Sequence, residues 1–321
     1  MKSYYRNISI ALLCGLFFVS SANVSGQNMF RKINDFDGDG KADFAITRNE
    51  NGSKYWYLWQ STSGFGVIPF GIAADQVIAG DYDGDGKWDF GVYREQPAAA
   101  PNYISHAFWM RKSQTGAVAV EQFDNWNGFV YHPFQQDYDG DGKTDPAVTL
   151  TNISNAQGIY VLRQSLSGQP ASYGATSGWS IVRTGDMTGD GKSDIVKFYQ
   201  STYDVAIVDS ATSLTSTVRF GTGGDKYLPA DFDGDGKGDL TVFRESNGTW
   251  WWIRSSDNVV NAATFGTSGD VPVPADYDGD GKTDVAIWRP GTPQSYFWVY
   301  GSQVGVFALP WGVASDAVVR Y

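Results

Sequence analysis

Nine residues recur six times along the chain. The first copy is Asp35-Phe36-Asp37-Gly38-Asp39-Gly40-Lys41-Ala42-Asp43, and near-copies begin at Asp81, Asp137, Asp186, Asp231 and Asp276. The copies start 46, 56, 49, 45 and 45 residues apart. A period of this size is typical of a supersecondary unit that repeats in a propeller or another array. Each copy also places aspartates at alternate positions around glycines, a pattern typical of a chain that wraps a hard cation.

The segments between these loops predict one repeated four-stranded unit. A short apolar stretch precedes the loop, as at residues 77–79, and another follows it, as at residues 44–47. An aromatic stretch comes next, as at residues 55–59, and a fourth ends on an aromatic-glycine step such as Phe70-Gly71. Four short strands in about 45 residues make one propeller blade. No stretch after residue 26 has sustained helical periodicity with caps, so we predict an all-β fold.

The two ends of the repeat region bear on the number of blades. The repeats fill residues 35–321 without a linker, which predicts one propeller domain over residues 27–321. Six repeats of four strands give six blades. Residues 317–320 match the strand that precedes each loop, and residues 29–33 offer a competing strand for the first blade. We expect one of these two segments to close the ring.

Each loop supplies oxygen ligands suited to Ca²⁺. Aspartates at positions 1, 3, 5 and 9 offer carboxylates, and the backbone carbonyl at position 7 adds another oxygen, toward the six to eight that Ca²⁺ takes. Glycines at positions 4 and 6 permit the turns that curl the chain around an ion. We therefore predict up to six Ca²⁺ sites. The predicted ligands are Asp35, Asp37, Asp39, Lys41, Asp43, Asp81, Asp83, Asp85, Lys87, Asp89, Asp137, Asp139, Asp141, Lys143, Asp145, Asp186, Thr188, Asp190, Lys192, Asp194, Asp231, Asp233, Asp235, Lys237, Asp239, Asp276, Asp278, Asp280, Lys282 and Asp284.

Other metals and the EF-hand fit these loops less well. An EF-hand requires a glutamate at position 12 and flanking helices, whereas the loops lack that glutamate and are flanked by predicted strands. Mg²⁺ takes fewer protein ligands, and softer metals need His or Cys ligands, of which the chain has two and one. In the fourth copy Thr188 replaces the aspartate at position 3, so we expect that site to bind most weakly.

The loop sequence and the aromatic-glycine step together resemble the FG-GAP (VCBS-type) repeats of integrin-α-like β-propellers. The resemblance covers the chain from the first loop to the last predicted strand. It implies an extracellular propeller that holds Ca²⁺ in a loop between neighbouring strands of a blade. It also implies adhesion, ligand binding or, less often, polysaccharide cleavage. Integrin-like relatives with seven blades leave the number open between six and seven.

The first 26 residues read as an export signal. Lys2 and Arg6 precede an apolar stretch at residues 8–19, and small residues follow at the expected cleavage region. The apolar stretch is too short for a membrane anchor, and no later segment is long and apolar enough to span a bilayer. We therefore expect a secreted protein, extracellular or periplasmic. The only cysteine, Cys14, lies inside this signal, so the mature chain has no disulfide.

The charge of the chain follows from its loops. The formal net charge is −11, and the six loops hold 23 of the 35 acidic residues. Without Lys2 and Arg6 of the expected signal the net charge is −13, and six bound Ca²⁺ ions, at +12, would cancel nearly all of it. Nucleic acid is an unsuitable partner, since its binding requires a basic face. The sequence does not define an oligomeric state.

Aromatic residues are the candidates for a ligand surface. The densest run is Trp250-Trp251-Trp252. Residues that alternate along a strand point to opposite faces, so at least one of these rings must leave the core, either Trp251 or the pair beside it. We take Trp251 as the candidate ligand-binding residue, with an extracellular glycan or protein as its partner. Four repeats also carry an arginine thirteen residues after the first aspartate, for which we expect a carboxylate or aromatic partner; they are Arg48, Arg94, Arg244 and Arg289.

Catalysis would require residues that are not repeated. The second repeat is the longest and contains both histidines, His106 and His132, which are further candidate ligand-binding residues, with Tyr103 and Tyr131 nearby. A His/Tyr pair could act as base and acid in polysaccharide β-elimination. No nucleophile elbow, paired-glutamate motif or phosphate loop is present. We therefore predict a non-catalytic binding or adhesion module. The alternative is a calcium-dependent polysaccharide lyase, or a lectin, with a site near the second repeat.

Overall fold

The computed structural model describes residues 29–97, 104–123, 129–152, 158–163, 170–176, 179–182 and 185–320. The predicted export signal therefore lies outside the described residues. The described part of the chain forms six four-stranded antiparallel sheets. This architecture confirms the prediction of an all-β propeller. Helical structure in these residues is limited to one short 3-10 helix at Met29–Lys32.

The sheets are numbered in chain order. Sheet 1 contains β1 (Phe44–Glu50), β2 (Ser53–Gln60), β3 (Gly64–Ile72) and the last strand of the chain, β24 (Ala317–Val318). Sheet 2 contains β4 (Gln76–Val77), β5 (Phe90–Pro97), β6 (Ile104–Arg111) and β7 (Val118–Phe123). Sheet 3 contains β8 (Phe129–Pro133), β9 (Ala147–Asn152), β10 (Gly158–Arg163) and β11 (Pro170–Thr176).

The second half of the chain repeats the same arrangement. Sheet 4 contains β12 (Trp179–Val182), β13 (Ile195–Tyr199), β14 (Asp204–Val208) and β15 (Thr215–Arg219). Sheet 5 contains β16 (Lys226–Leu228), β17 (Leu240–Arg244), β18 (Thr249–Ile253) and β19 (Val260–Thr264). Sheet 6 contains β20 (Val271–Pro272), β21 (Val285–Arg289), β22 (Tyr296–Gly301) and β23 (Gly305–Pro310). The nine-residue loops, numbered 1 to 6 in chain order, each precede the second strand of a sheet.

A ring of backbone hydrogen bonds joins the six loops. In each loop the amide at position 8 donates to the carbonyl of the aspartate at position 1 in the preceding loop, over 2.6–2.7 Å. The last of these bonds, from Ala42 to Asp276, joins loop 1 to loop 6 and closes the ring. The other five donors are Trp88, Thr144, Ser193, Gly238 and Thr283. The acidic loops are therefore adjacent to one another around the propeller axis.

The two ends of the repeat region take different structures. β24 pairs with β1 and completes sheet 1, so the C-terminal segment closes the ring. The competing prediction of a strand at residues 29–33 is wrong. Phe30 and Ile33 are both buried in the central core, and a 3-10 helix with three residues per turn places such a pair on one face.

This 3-10 helix, the axial plug, lies against several loops. Met29 Sδ accepts the amide of Asp186 at 3.2 Å, and Lys32 Nζ lies 3.4 Å from Asp81 Oδ2. A Cβ added at Gly185 would lie only 2.8 Å from the sulfur of Met29. A cavity of about 40 Å³ remains beside the plug, which is enough for a few water molecules and not for a sugar ring. The plug therefore fills most of the space between the loops that it contacts.

Separate hydrophobic clusters fill the spaces between successive sheets. Tyr93 and Phe108 of sheet 2 pack with Leu150 of sheet 3, and Trp250 of sheet 5 packs with Ile287 of sheet 6. The largest cluster spans sheets 6, 1 and 2 and includes Phe30 of the plug. The aromatic residue at loop position 2 is also buried in three loops; these residues are Phe36, Tyr138 and Tyr277.

The plug contributes to stability through Phe30, which is 2% exposed. We expect Phe30→Ala to lower the free energy of unfolding by about 3–5 kcal/mol, because it removes a buried ring and leaves a cavity. Urea denaturation with calcium present measures the change. Val260→Ala, at a residue 55% exposed, is the control and should cost under about 0.5 kcal/mol. Equal stability of the two variants would show that the plug is not part of the core.

Candidate metal sites

The aspartate at position 1 shapes each loop. Asp35 Oδ1 accepts the amide of Gly38 at 2.6 Å, and its Oδ2 accepts the amide of Gly40 at 2.9 Å. Both glycines have positive φ, +80° and +86°, which L side chains adopt only under strain. The same pair of bonds recurs in the other five loops. Glycines at positions 4 and 6 thus let the chain curl around its first carboxylate.

The aspartate at position 9 ties each loop to a turn in the same sheet. Asp43 Oδ2 accepts the amide of Phe36 within the loop, and its Oδ1 accepts the amide of Ser61 at 2.8 Å. Ser61 begins the turn between β2 and β3. The loop pattern alone does not predict this contribution, although a serine near the start of the equivalent turn donates in the same way in four other sheets. Those serines are Ser113, Ser210, Ser255 and Ser302.

The aspartates at positions 3 and 5 carry the oxygens that suit a cation best. Asp37 Oδ2 accepts the amides of Thr62 and Ser63, but its Oδ1 is buried and has no hydrogen-bond partner. Oδ1 of Asp278 and Oδ2 of Asp85 are also buried and have no hydrogen-bond partner. Buried polar atoms are nearly always partnered, and a bound cation would supply the missing partner. This donor set, all hard oxygen, fits Ca²⁺.

The carboxylates of a loop are close enough to share one ion. In at least five loops, oxygens from three acidic residues lie within 4.8 Å of one another. The loops thus bring predicted ligands together. They include Asp35, Asp37 and Asp39 in loop 1 and Asp231, Asp233 and Asp239 in loop 5. Carboxylate oxygens that accept one amide keep a second lone pair for a metal.

The fourth loop gains a carboxylate that the sequence analysis missed. Thr188 replaces the aspartate at position 3, as read from the sequence, and its Oγ1 is buried without a partner. Asp209, which precedes the turn between β14 and β15, places a carboxylate oxygen within 4.8 Å of those of Asp190 and Asp194. The equivalent positions before Ser61 and Ser255 hold Gln60 and Arg254. The aspartate at this position in the sequence was the signal that could have identified the additional ligand.

The side chain of the lysine at position 7 packs against the preceding loop, in addition to the ligation predicted for its backbone carbonyl. A Cβ on Gly38 would lie 2.9 Å from the side chain of Lys87, because the aliphatic stem of that lysine crosses the preceding loop. The same contact joins Gly279 of loop 6 to Lys41 of loop 1. All six position-7 lysines make it, the others being Lys143, Lys192, Lys237 and Lys282. Each lysine stem can cross the preceding loop only because a glycine without a side chain lies beneath it. Metal ligation by the backbone carbonyl at position 7 stays a prediction.

Burial raises the pKa of the position-9 carboxyls well above the ordinary value of 3.8. Loss of hydration is the largest cause, and the loop amides that donate to these groups oppose it. The pKa reaches about 7 for Asp43, Asp239 and Asp284 and about 6 for Asp89 and Asp194. Nearby loop carboxylates raise it further. A folded, metal-free loop therefore resists full ionisation.

The repeated arginines have structural partners, which confirms the expectation for them. Arg48 Nε and Nη2 donate to the two carboxylate oxygens of Asp316 at 2.6 and 2.8 Å, and its guanidinium lies 4.7 Å from the ring of Tyr57. The same forked pair recurs in three other sheets, as Arg94–Asp75, Arg244–Asp225 and Arg289–Asp270. Each aspartate precedes the edge strand that pairs with the arginine's own strand, so the pair fixes the connection between neighbouring sheets.

The structure separates the two histidines. His106 is buried, its Nδ1 lies 2.7 Å from the hydroxyl of Tyr93, and its ring stacks on Tyr131 at 3.6 Å between centroids. Burial lowers the pKa of His106 and raises that of Tyr93. His132 follows Tyr131 on β8 and is exposed, on the opposite side of the strand. Tyr103 lies outside the described residues. Among the described residues, the histidines do not converge on one site.

Trp251 is the ring of the tryptophan run that lies outside the core. Trp250 is fully buried between sheets 5 and 6, whereas Trp251 on the other face of β18 is 37% exposed. Trp252 is partly buried and packs on the same cluster as Trp250. The expectation that one ring of the run leaves the core is confirmed.

The loops and the sheets define a family. The FG-GAP-like repeat family matches residues 35–92, 137–196 and 231–307. The chain therefore belongs to the FG-GAP-like repeat proteins, and its fold is a β-propeller. No curated protein matches the chain in sequence.

Solved structures with a similar fold share little sequence with the chain. TolB from Acinetobacter baumannii is 15% identical with a TM-score of 0.54, over 89% of this chain and 68% of TolB. The calcium-binding protein regucalcin from Agrobacterium tumefaciens is 12% identical with a TM-score of 0.42, over 87% of this chain and 91% of its own. The exotype rhamnogalacturonan lyase YesX is 12% identical with a TM-score of 0.42, over 88% of this chain and 66% of YesX. The likeness to TolB supports the fold alone.

None of the helical segments in the described part of the chain has the length and hydrophobicity that a membrane crossing requires.

The raised pKa values predict how pH affects the metal-free protein. Between the unfolded value of 3.8 and the folded values of about 6–7, the folded chain binds more protons than the unfolded chain, so stability falls as pH rises through this range. Protein stripped of metal by dialysis should melt at a lower temperature at about pH 8 than at about pH 5. Calorimetry measures both melts. Saturating calcium should reduce or reverse the difference, and a metal-free protein that is more stable at the higher pH would contradict it.

Proposed function

We propose that this chain is a calcium-binding β-propeller that serves as a non-catalytic binding or adhesion module. The observation that supports the calcium sites is the set of loop carboxylates with buried, unpartnered oxygens at positions 3 and 5. Ca²⁺ takes six to eight oxygens in flexible geometry, which suits a loop of four carboxylates and a carbonyl. Mg²⁺ demands a tighter octahedron and keeps its water.

Calcium would stabilise the fold rather than supply chemistry. Six acidic loops lie side by side in the hydrogen-bonded ring, and their carboxylates repel one another unless a cation is bound. A cation that binds only the folded chain adds to its stability. Calcium sites in extracellular modules have dissociation constants of about 10⁻⁴–10⁻³ M. A secreted location, extracellular or periplasmic, would therefore fill the sites, in keeping with the expected export signal and the absence of cysteine after residue 26.

Binding is the better proposal than catalysis because of where the histidines lie. His106 is buried among Tyr93 and Tyr131, and His132 points away from it, so the two histidines do not face a common cleft. We propose an extracellular glycan or protein as the ligand. A lyase would release unsaturated sugars from acidic polysaccharides. The absence of new ultraviolet absorbance after incubation with polygalacturonate is the expected result, and its appearance would replace a binding module with an enzyme.

Calcium should raise the melting temperature. At a calcium concentration ten times the dissociation constant, each site adds about 1.4 kcal/mol to the free energy of unfolding. Six such sites would shift the melt by many degrees. Differential scanning calorimetry in calcium and in excess EGTA measures the shift, with magnesium as the control ion. An unchanged melt in EGTA would show that the loops are acidic turns without a structural cation.

The fourth site tests how carboxylate number sets affinity. Sequence alone makes it the weakest site, but Asp209 returns the missing charge. We expect Asp209→Asn to weaken one site at least tenfold and leave the other five unchanged, and Thr188→Asp to tighten the same site. Thr188→Asn, which adds an oxygen without charge, is the matched control. Calcium titration by calorimetry gives the number of sites in each class. Normal affinity of all sites in Asp209→Asn would show that Asp209 is not a ligand.

A further inference from the structure

Three aromatic rings meet at the outer part of the seam between sheets 6 and 1. Trp59 at the end of β2 and Phe65 at the start of β3 are register partners, and their side chains are 44% and 60% exposed. Trp311, which follows β23, lies edge-on to both, with centroid distances of 5.6 Å to Trp59 and 5.7 Å to Phe65. We call these three residues the aromatic triad. Two large rings thus remain open to solvent while a third supports them from the neighbouring sheet.

The other sheets do not need aromatic residues at these positions. The register pairs equivalent to Trp59 and Phe65 are Arg111 with Val118, Val208 with Thr215, Ile253 with Val260 and Tyr300 with Val306. The nearest parallel is the seam between sheets 5 and 6, where Phe265 contacts Tyr300 at 6.1 Å but the third position is Val306. Since three of these four pairs contain no aromatic residue, strand pairing alone does not account for the triad.

The turn between β2 and β3 holds the two exposed rings in place. The amide of Ser61 donates to Asp43, the hydroxyls of Ser61 and Thr62 donate to Asp39, and the amide of Ser63 donates to Asp37. Loop 1 therefore fixes the turn that joins the two strands. A binding surface that is ordered before its ligand arrives loses less entropy on association.

The size and charge of the triad select its ligand. Two aromatic side chains at about half exposure and the less exposed Trp311 together offer on the order of 200–300 Å², well below the roughly 800 Å² per partner that a specific protein complex buries. The three side chains of the triad carry no charge, so an anionic polymer gains no electrostatic attraction from them. The C–H face of a sugar ring is apolar and weakly positive, and it suits the negative face of an aromatic ring. A neutral oligosaccharide fits both conditions.

We propose that the aromatic triad binds neutral oligosaccharides by stacking sugar rings on Trp59 and Phe65, with Trp311 as the supporting ring. This inference rests on the proposed binding function and names its ligand class and its site.

The test measures binding of cellohexaose, mannohexaose, xylohexaose and chitohexaose to the calcium-loaded protein by calorimetry and tryptophan fluorescence. At least one neutral hexamer should bind and change the fluorescence, while polygalacturonate should not. Trp59→Ala and Phe65→Ala should each weaken binding at least tenfold, and Trp59→Phe should retain most of it. Tyr300→Ala, at the equivalent position of the neighbouring seam, is the matched control and should bind like the parent. Each variant should keep the calcium-dependent melt, because the exposed rings contribute little to the core.

The outcomes separate this inference from the proposed function. If the melt depends on calcium but no neutral hexamer binds, the triad is not a sugar site and the calcium module stands. Binding that survives both alanine variants, or that Tyr300→Ala abolishes, would place the ligand elsewhere. A preference for polygalacturonate, or capture of a protein through the triad, would overturn the ligand class. A melt that ignores calcium would contradict the proposed function instead.

Discussion

One hydrogen bond, repeated six times, determines how the acidic loops are arranged. The amide at position 8 of each loop reaches the carbonyl of the position-1 aspartate in the loop before it, and the bond from Ala42 to Asp276 closes the circle. Each bond requires the backbone of its position-1 aspartate to be held in a fixed position. The side-chain carboxylate of the same aspartate provides this by accepting two glycine amides of its own loop. The lysine stem from the next loop then covers the same glycine turn. Ring, loop and turn therefore depend on one another.

This arrangement concentrates negative charge where burial makes it costly. The position-9 carboxyls are buried, and their raised pKa values show that the folded chain resists ionising them without a cation. Amides of the loop and of the serine turn offset part of that cost. Unpartnered oxygens at positions 3 and 5 remain. We infer that a divalent cation in each loop balances the charge and lets the ring form, in a chain whose only cysteine, Cys14, precedes the repeats.

The sequence allowed much of the fold to be predicted, because its evidence is local and repeated. The period and the four apolar stretches predicted four-stranded sheets, and the alternation in Trp250-Trp251-Trp252 predicted that at least one ring leaves the core. Contacts between segments distant in the chain were beyond such reasoning. Asp209 reaches loop 4 from a turn, Asp316 meets Arg48 across 268 residues, and Trp311 meets Trp59 across the seam. The error at residues 29–33 has the same origin, since only the ring shows that Phe30 and Ile33 face one core.

Hydrogen exchange at the ring amides tests most directly whether the ring depends on calcium. The amides of Ala42, Trp88, Thr144, Ser193, Gly238 and Thr283 donate the six bonds. Mass spectrometry with peptide-level resolution follows their exchange in calcium and in EGTA. We predict strong protection of all six segments in calcium and its loss from all six in EGTA, with the strand cores exchanging more slowly than the loops. Equal protection in both conditions would contradict the account, because the ring would then hold without a cation.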